Sequence, residues 1–294
     1  MKFSIAPTRP SQRATSHFGT FATLVLVLVA SFVPVTSAAG ATQSASLAGV
    51  TATFTYSGTY PEALHPRLTI TRSGAVLYDE LVHSVWCGQE CWPDTISASR
   101  KVVHVVRLKA HAQPAVVLDL YSGGAHCCSI EQVYSFGATS RTVLKTERNF
   151  GDPGVKMDSI GADGAVDFVS ANDAFAYAFT DYAASGVPIQ IFSFSHHYFR
   201  DVTRSFPSLI AKDAAQWRRA FDAQAATHYQ DSVGVIAAWA ADEDMLGHGA
   251  VVSTFLAGQA RAGHLNSALS PIEPSGRRFV IALRAFLRKY GYSK

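Results

Sequence analysis

The sequence lacks the short motifs that mark common hydrolase and nucleotide-binding sites. It contains no G-x-S-x-G nucleophile elbow, no H-E-x-x-H pair and no phosphate-binding P-loop. Asp173 and Asp181 bracket an aromatic segment and could act as a carboxylate pair, but two acids at this spacing are common by chance. The absence of a catalytic motif therefore favours a binding protein over an enzyme.

An excess of one charge is also missing once the segment 1–41 is set aside. That segment contains Lys2, Arg9 and Arg13 and no acid, so subtracting these three from 25 leaves 22 basic residues against 22 acidic ones. Without a basic stripe, the long-range attraction on which nucleic-acid binding depends is absent. We therefore do not expect nucleic acid as a partner.

The segment 1–41 has the order of features that is typical of a secretory signal peptide. A basic start precedes the apolar run of residues 21–35, and the small residues 36–41 supply a cleavage site. An uncleaved anchor is the alternative, because the apolar run approaches the length of a membrane-spanning helix. Pro34 and the small residues favour cleavage near Thr42. We expect a chain that is secreted or lies at the exterior of the cell envelope, with membrane contact only through the leader before cleavage.

Residues 42–206 contain strand-like runs separated by turn residues. Residues 67–80 hold two such runs around a Ser-Gly turn, which is a hairpin signal. A weak internal repeat relates residues 115–120 to residues 165–170, and a hairpin follows each copy. A closed propeller needs at least about four blades. The pattern therefore predicts a β-rich domain that is an incomplete propeller or a meander.

The periodicity becomes helical from Pro207, which predicts a small α-helical unit over residues 207–294. Its last helix is the clearest, with Ser275 placed as the cap and basic residues in the last turn, where they complement the helix dipole. The apolar stripe of this helix comprises Phe279, Leu283, Phe286, Leu287 and Tyr290. The predicted fold class is thus α+β, with a β-rich domain followed by a helical unit.

Residues 173–182 alternate aromatic side chains with alanine. Phe175, Tyr177 and Phe179 would share one face of a strand and could bind sugars or other ligands on that face. The alternative is a buried strand face with no role in binding.

The cysteine pattern favours disulfides over metal binding or redox chemistry. An even number of cysteines in an exported chain is typical of disulfides. A thioredoxin-like centre is excluded by spacing, because three residues separate Cys87 from Cys91. A zinc site, with His126 able to replace one thiolate, is the alternative. The four cysteines are Cys87, Cys91, Cys127 and Cys128.

Three disulfide pairings are possible. Pairing of Cys127 with Cys128 requires a strained vicinal ring, whereas crossed pairs close longer loops and stabilise the chain more in the chain-entropy model. Gly123 and Gly124 would let the backbone bend towards a neighbouring segment. We therefore expect crossed pairs, Cys87–Cys128 and Cys91–Cys127. His126 would then pack beside them in a structural role, and it is also a possible ligand-binding residue.

An Asp-rich turn before a strand is typical of extracellular calcium sites. Asp158, Asp163 and Asp167 around Gly164 offer hard oxygen ligands, although a capped turn explains the same residues. Three acids predict weak calcium binding. Apart from calcium, we expect no cofactor.

The runs "VVLDLYSGGAHCC" (116–128), "DGAVDFVSANDAFAYAF" (163–179) and "FRDVTRSFP" (199–207) resemble a group of uncharacterised secreted proteins of high-GC Gram-positive bacteria. Within that group, the β part resembles degenerate FG-GAP or VCBS repeats. Complete repeats of this type build integrin-like propellers and often bind calcium. The resemblance implies a propeller-like β domain and implies no activity.

Together, these features predict a secreted, disulfide-linked, non-catalytic module that binds a ligand outside the cell or in the envelope. The alternative is an extracytoplasmic hydrolase or metal-dependent enzyme that uses acids within residues 158–181, in which Asp163, Asp167, Asp173 or His126 would act. A cleft where those residues converge would favour the enzyme.

Overall fold

The structure is a computed structural model that describes residues 40–58, 64–88, 91–94, 101–269 and 272–293. Except for its last two residues, the predicted signal peptide lies outside the described residues. Within the described part of the chain, no helix is both long enough and apolar enough to cross a membrane.

In the described residues, the strands form three antiparallel sheets in chain order. The first sheet contains β1 (Ala41–Leu47), β2 (Val50–Ser57), β3 (Leu64–Arg72) and β4 (Ala75–Leu81). The second contains β5 (Trp92–Pro93), β6 (Val103–Val106), β7 (Ala115–Tyr121), β8 (Ser129–Ser135) and β9 (Leu144–Gly151), with β5 and β6 both paired to β7. The third contains β10 (Val155–Asp158), β11 (Asp167–Ala171), β12 (Ile189–Ser195) and β13 (Tyr198–Asp201).

The second sheet is covered on both faces by its neighbours. On β7, Val116 and Leu118 pack in the core shared with the first sheet, whereas Val117 packs in the core shared with the third. Strands that are buried on both faces read as nearly continuous apolar runs. This burial explains why "AVVLDLY" shows no alternation of polar and apolar residues.

The fold is α+β. Each sheet is built around a meander, and over the described ranges the sheets do not close into a barrel or a propeller. The two segments of the suspected repeat occupy related positions, because residues 115–120 lie in β7 and residues 165–170 run into β11. Each of these strands is followed by two further strands of its own sheet.

Four α-helices follow the sheets in the described residues. They are α1 (Pro207–Ala223), α2 (Val233–Met245), α3 (Gly249–Ala262) and α4 (Gly276–Lys289). As the stripe in α4 predicts, Phe279, Leu283 and Leu287 are buried in the helical core, but Tyr290 is exposed. Ser275 occupies the N-cap position of α4, yet its side chain makes no capping hydrogen bond. The described residues cluster as one compact unit.

The strand predicted over residues 173–182 is wrong. Asp173–Phe175 form a 3-10 turn, and irregular turns follow it. Phe175 and Phe179 both enter the helical core, where their ring centroids lie 4.9 and 5.1 Å from that of Phe286. The physical reason is the packing of these two rings against α4, which overrides the β propensity of the segment.

The crossed disulfide pairing is also wrong, because the structure pairs Cys87 with Cys91 and Cys127 with Cys128. Cys87 and Cys91 pack in the core between the first two sheets, with their Cα atoms 5.3 Å apart, inside the usual range for a disulfide. Cys128 is held elsewhere, because its N–H donates to Ser122 Oγ and its carbonyl accepts from the Ser122 N–H. The glycines of this turn bend the chain back on itself instead of towards the other pair. No cysteine is free to bind zinc as a thiolate.

Candidate ligand-binding site

Three rings from two loops form an aromatic cluster near the vicinal disulfide. The His126 ring lies 4.1 Å from the Tyr182 ring, and the Tyr177 ring lies 5.5 Å from that of Tyr182. His126 also meets the edge of Tyr177 at 6.3 Å. Tyr177 is exposed over 55% of its surface. The structure thus brings together two predicted binding residues, His126 and Tyr177, and adds Tyr182, which no sequence pattern had indicated.

The other two predicted aromatic residues do not belong to this cluster. Phe175 and Phe179 are buried and anchor the loop to the helices. Their anchoring leaves Tyr177, between them in sequence, on the outside. Its left-handed backbone, with φ of 58°, is stabilised by a hydrogen bond from the Tyr177 N–H to Ser185 Oγ.

Glycines fix the far end of this loop against α2. A Cβ on Gly186 would lie 2.9 Å from the Ala238 methyl group and from the Gly234 carbonyl oxygen. Such a distance is shorter than any ordinary Cβ contact, so only glycine allows this approach. Thr180 Oγ1 also donates to Asp231 Oδ1 at 2.6 Å. The loop that carries Tyr182 is therefore held at a fixed position.

The His126 loop is held at its base and open at its tip. Gly123 and Gly124 adopt positive φ angles of 84° and 108°, and the Tyr121 hydroxyl donates to the Gly124 carbonyl oxygen. The vicinal disulfide follows His126 directly. The His126 side chain is about half exposed at the tip of this loop.

Two acids link the aromatic cluster to a neighbouring cleft. Asp152 Oδ1 lies 4.0 Å from His126 Nδ1, and the Asp152 N–H donates to the Asp173 carboxylate. Burial raises the pKa of Asp173; the hydrogen bond from the Asp152 N–H opposes this rise, and the negative charge of Asp152 adds to it. Gly151 makes this packing possible, because a Cβ there would lie within 2.6 Å of Asp173 Cβ.

The cleft has a volume of about 270 Å³ and is lined mainly by polar groups. Trp86, which is half exposed, closes one side and immediately precedes the Cys87–Cys91 disulfide. Both disulfide-containing loops therefore contribute to this region of the surface. The polar lining residues are Arg148, Asn149, Asn172, Asp173 and Gln190.

Arg148 has unused hydrogen-bonding capacity at the cleft. Its guanidinium lies over the Phe192 ring at 3.8 Å, and burial lowers the pKa of Arg148. Its buried Nε has no hydrogen-bond acceptor among the described residues. A buried donor without a partner is costly.

The acids predicted to bind calcium lie elsewhere. Asp163 and Asp167 line a separate, shallow cavity of about 480 Å³. Burial and the Asp163 charge raise the pKa of Asp167. Of the acids within residues 158–181, Asp173 alone lines the cleft. Asp181 accepts a hydrogen bond from the Ala184 N–H in its own loop. Among the described residues, no group of three His, Cys, Asp or Glu side chains is arranged to hold a metal ion.

A buried group of carboxyl side chains in the central sheet was not predicted. Asp119 and Glu131 are both buried, and Asp94 lies beside them with its Oδ2 accepting from Ser129 Oγ. His104 Nε2 lies 2.9 Å from Asp119 Oδ2. None of these residues lines the cleft. Sequence alone could not reveal the group, because it depends on the register between strands.

Comparisons with known proteins identify distant relatives without a stated activity. The chain is 24% identical over 185 residues to an uncharacterised protein of Sinorhizobium fredii, and the match covers 62% of this chain and 28% of that protein. It is 24% identical over 234 residues to a probable thylakoid lumen protein of Synechocystis, which covers 71% of this chain and 68% of that protein. No protein-family profile and no solved structure matches the chain significantly.

Proposed function

We propose that the protein is a non-catalytic binding module that works outside the cytoplasm and takes a saccharide at the cleft beside the aromatic cluster. The observation that carries this proposal is the combination of exposed rings with a polar cleft. Trp86 borders the cleft, and Tyr177 and His126 lie beyond the Asp173–Asp152 link.

The chemistry of the cleft suits a ligand that is rich in hydroxyl groups. Sugar rings present apolar C–H faces, which pack on aromatic rings, and hydroxyl groups that both donate and accept hydrogen bonds. Arg148 offers donors, Asp173 offers acceptors, and the amides of Asn172 and Gln190 offer both. The mixture of donors and acceptors favours hydroxyl groups over a purely apolar or a purely anionic ligand.

The proposed location is the cell exterior or the envelope. Disulfides persist in oxidising compartments and are rare in the cytosol, and all four cysteines are in disulfides. The leader-like features of the segment 1–41 support the same location, as does the relative whose name places it in a thylakoid lumen.

We also propose that the three sheets are degenerate propeller-like units. In the second and third sheets, the repeat-like segments begin at β7 and β11, and each leads into two further antiparallel strands. In this interpretation, the loops after β7 and β11 are equivalent, and both contribute to the aromatic cluster. Shared positions in related units would explain why two distant segments meet there.

A saccharide titration tests the proposal. Tryptophan fluorescence and calorimetry would measure binding of the hexamer of N-acetylglucosamine and of maltohexaose. We expect at least one to bind, and we expect Trp86→Ala and Tyr177→Ala to weaken that binding at least about 10-fold, since large aromatic contacts dominate such sites. Tyr198→Ala is the matched control, because Tyr198 is also exposed but lies on β13, outside both the cleft and the aromatic cluster. Equal affinity of all variants, or no binding of either sugar, would overturn the proposal.

The enzyme alternative now depends on Asp173. Burial raises the pKa of Asp173, which is the direction of shift that a carboxyl general acid needs. Product analysis of the same sugar mixtures separates the two functions. Cleaved sugars that disappear with Asp173→Asn would favour a hydrolase, whereas intact sugars that remain bound favour the binding module.

Calcium at the 158–167 turn is a further proposal of weak binding. Lys156 Nζ lies 2.7 Å from Asp158 Oδ2, and Asp163 Oδ1 accepts the Ala165 N–H, so both acids are already engaged. With a Kd of about 1 mM, typical of extracellular sites, 10 mM calcium would add about 1.4 kcal/mol and raise Tm by about 3–5 °C. Identical melting curves in chelator and in excess calcium would exclude the site.

A further inference from the structure

A second cavity lies within the helical part of the protein. Its volume is about 760 Å³, within the range of small-molecule sites. α3, α4 and the end of α2 form its walls. The apolar lining residues are Met245, Val252, Leu256 and Leu287.

Two arginines at this cavity have spare donors. Arg284 donates to Ser253 Oγ at 2.7 Å, and its charge acts on the Asp244 carboxylate, which lines the same cavity. Among the described residues, the Arg288 side chain makes neither a hydrogen bond nor an ion pair. Arg204 differs, because its guanidinium is occupied by the carbonyl oxygens of Met245, Gly291 and Tyr292. The cavity therefore combines an apolar wall with two guanidinium groups, of which Arg284 has donors left beyond its bond to Ser253 and its attraction to Asp244.

The charges of the chain are concentrated on this side. Residues 249–294 contain seven Lys and Arg and one acid, whereas residues 42–248 contain 15 Lys and Arg and 21 acids. Asp244 is the one acid that lines the cavity, against three arginines. Exposed Ile281 lies between the arginines of α4 in sequence. Such a surface attracts anions and adds apolar contact.

We propose that this cavity binds an anionic amphiphile, with an acyl chain against the apolar wall and a phosphate or carboxylate head on Arg284 and Arg288. The apolar wall argues against a free inorganic anion, which would leave most of the cavity unused. The two guanidinium groups argue against an uncharged chain, because their donors would face apolar carbon. This inference is independent of the saccharide site, and it gives the mature chain a lipid contact beyond the predicted leader.

Binding of defined single-chain lipids below their micelle concentrations tests the proposal. Calorimetry or native mass spectrometry would compare four probes: lysophosphatidylglycerol, myristate, monomyristoylglycerol and glycerol phosphate. We expect one molecule of lysophosphatidylglycerol or myristate to bind per chain. Monomyristoylglycerol has the chain without a charged group, and glycerol phosphate has the head without the chain, so both should bind at least about 10-fold more weakly, as expected when charged hydrogen bonds or apolar contacts are lost.

Variants locate the site. The double variant Arg284→Gln and Arg288→Gln should weaken binding of lysophosphatidylglycerol about 10- to 100-fold. Its matched control is Arg277→Gln with Arg278→Gln, which removes the same charge from α4 without changing the cavity lining. Circular dichroism would check that both variants fold. Equal losses in the two double variants would mean general charge attraction and would overturn the site, as would equal binding of the head or of the uncharged chain alone.

Discussion

Asp119 on β7 and Glu131 on β8 lie directly opposite each other in the central sheet, and both are buried. Like charges in this arrangement repel strongly in a low-dielectric interior. Asp119 Oδ1 and Glu131 Oε2 have no hydrogen-bond donor among the described residues. A proton retained by Glu131 supplies the donor. We therefore expect the two side chains to share a proton in the folded protein.

The first prediction concerns the pH dependence of this pair. Burial raises the pKa of Glu131 well above its ordinary value, and the Asp119 and Asp94 carboxylates raise it further. The folded state therefore binds more protons than the unfolded chain above a pH of about 4.3, and stability decreases as the pH rises. Glu131→Gln removes this loss, so its free energy of unfolding relative to the wild type should increase with pH by up to about 1.4 kcal/mol per unit.

Urea unfolding at pH 5, 6, 7 and 8 measures the difference. Glu80→Gln, an exposed glutamate on β4, is the control and should follow the wild-type profile. Parallel profiles for Glu131→Gln and the wild type would show that the pair holds no extra proton.

A second prediction concerns Asp242 in α2, which is fully buried. Burial raises the pKa of Asp242 to about 10, with repulsion from the Asp213 carboxylate as the next cause. Asp213 Oδ2 already accepts from Trp217 Nε1 and from the Ile189 N–H. The proton therefore belongs on Asp242, and the wild type should lose stability as the pH rises from about 4.

The free energy of unfolding of Asp242→Asn, relative to that of the wild type, should accordingly increase as the pH rises from 5 to 9. Asp222→Asn, an exposed change on α1 that breaks only the Arg218 surface pair, should shift stability by about 0.5 kcal/mol at all these pH values. A constant difference for Asp242→Asn across the pH range would contradict the protonated carboxyl.

Local patterns predicted the elements that pack independently of distant partners. The stripe of α4 places Phe279 and Leu283 in the core because a helix fixes which residues share a face. The strand predicted from the alternation over residues 173–182 is wrong, because aromatic rings at this spacing can pack against helices as well as share one face of a strand. A single sequence cannot show which neighbour an aromatic ring will meet.

The candidate site was only partly predictable for the same reason. His126 was identified from its position beside the cysteines, but its contact with Tyr182 depends on how two loops that are distant in sequence are placed. The Asp119–Glu131 pair depends on strand register, which one sequence leaves open. Arg148 was not predicted as a site residue, because it belongs to no sequence motif and only its position in the folded cleft distinguishes it.

A third prediction follows from the corrected disulfides. Proteolysis without reduction should release the peptide containing residues 87–91 separately from the one containing 127–128, and each should be two mass units lighter than its reduced form. Cys87 and Cys91 belong to the core between the first two sheets, whereas the other pair lies within the β7–β8 loop. A covalently joined pair of peptides would restore the crossed connection.

The last prediction compares two helical glycines that have different surroundings. A Cβ on Gly234, in the first turn of α2, would lie 2.9 Å from Thr180 Cγ2 and would also overlap the Ala184 backbone. A Cβ on Gly258, within α3, would meet nothing within 4 Å. Alanine should therefore destabilise the protein at Gly234 by about 1–3 kcal/mol through overpacking.

The same change at Gly258 should stabilise by about 0.5–1 kcal/mol, because alanine lowers the conformational entropy of the unfolded chain and favours the helix. Urea unfolding of both variants measures whether each alanine lowers or raises the free energy of unfolding. Because the 180–187 loop is held by Gly234 and carries Tyr182, the Gly234→Ala variant should also move Tyr182 away from His126. The imidazole proton resonances of His126, shifted by the Tyr182 ring, would then return towards the values of an exposed histidine. Unchanged resonances, or stabilisation by both alanines, would mean that the loop does not depend on this glycine contact.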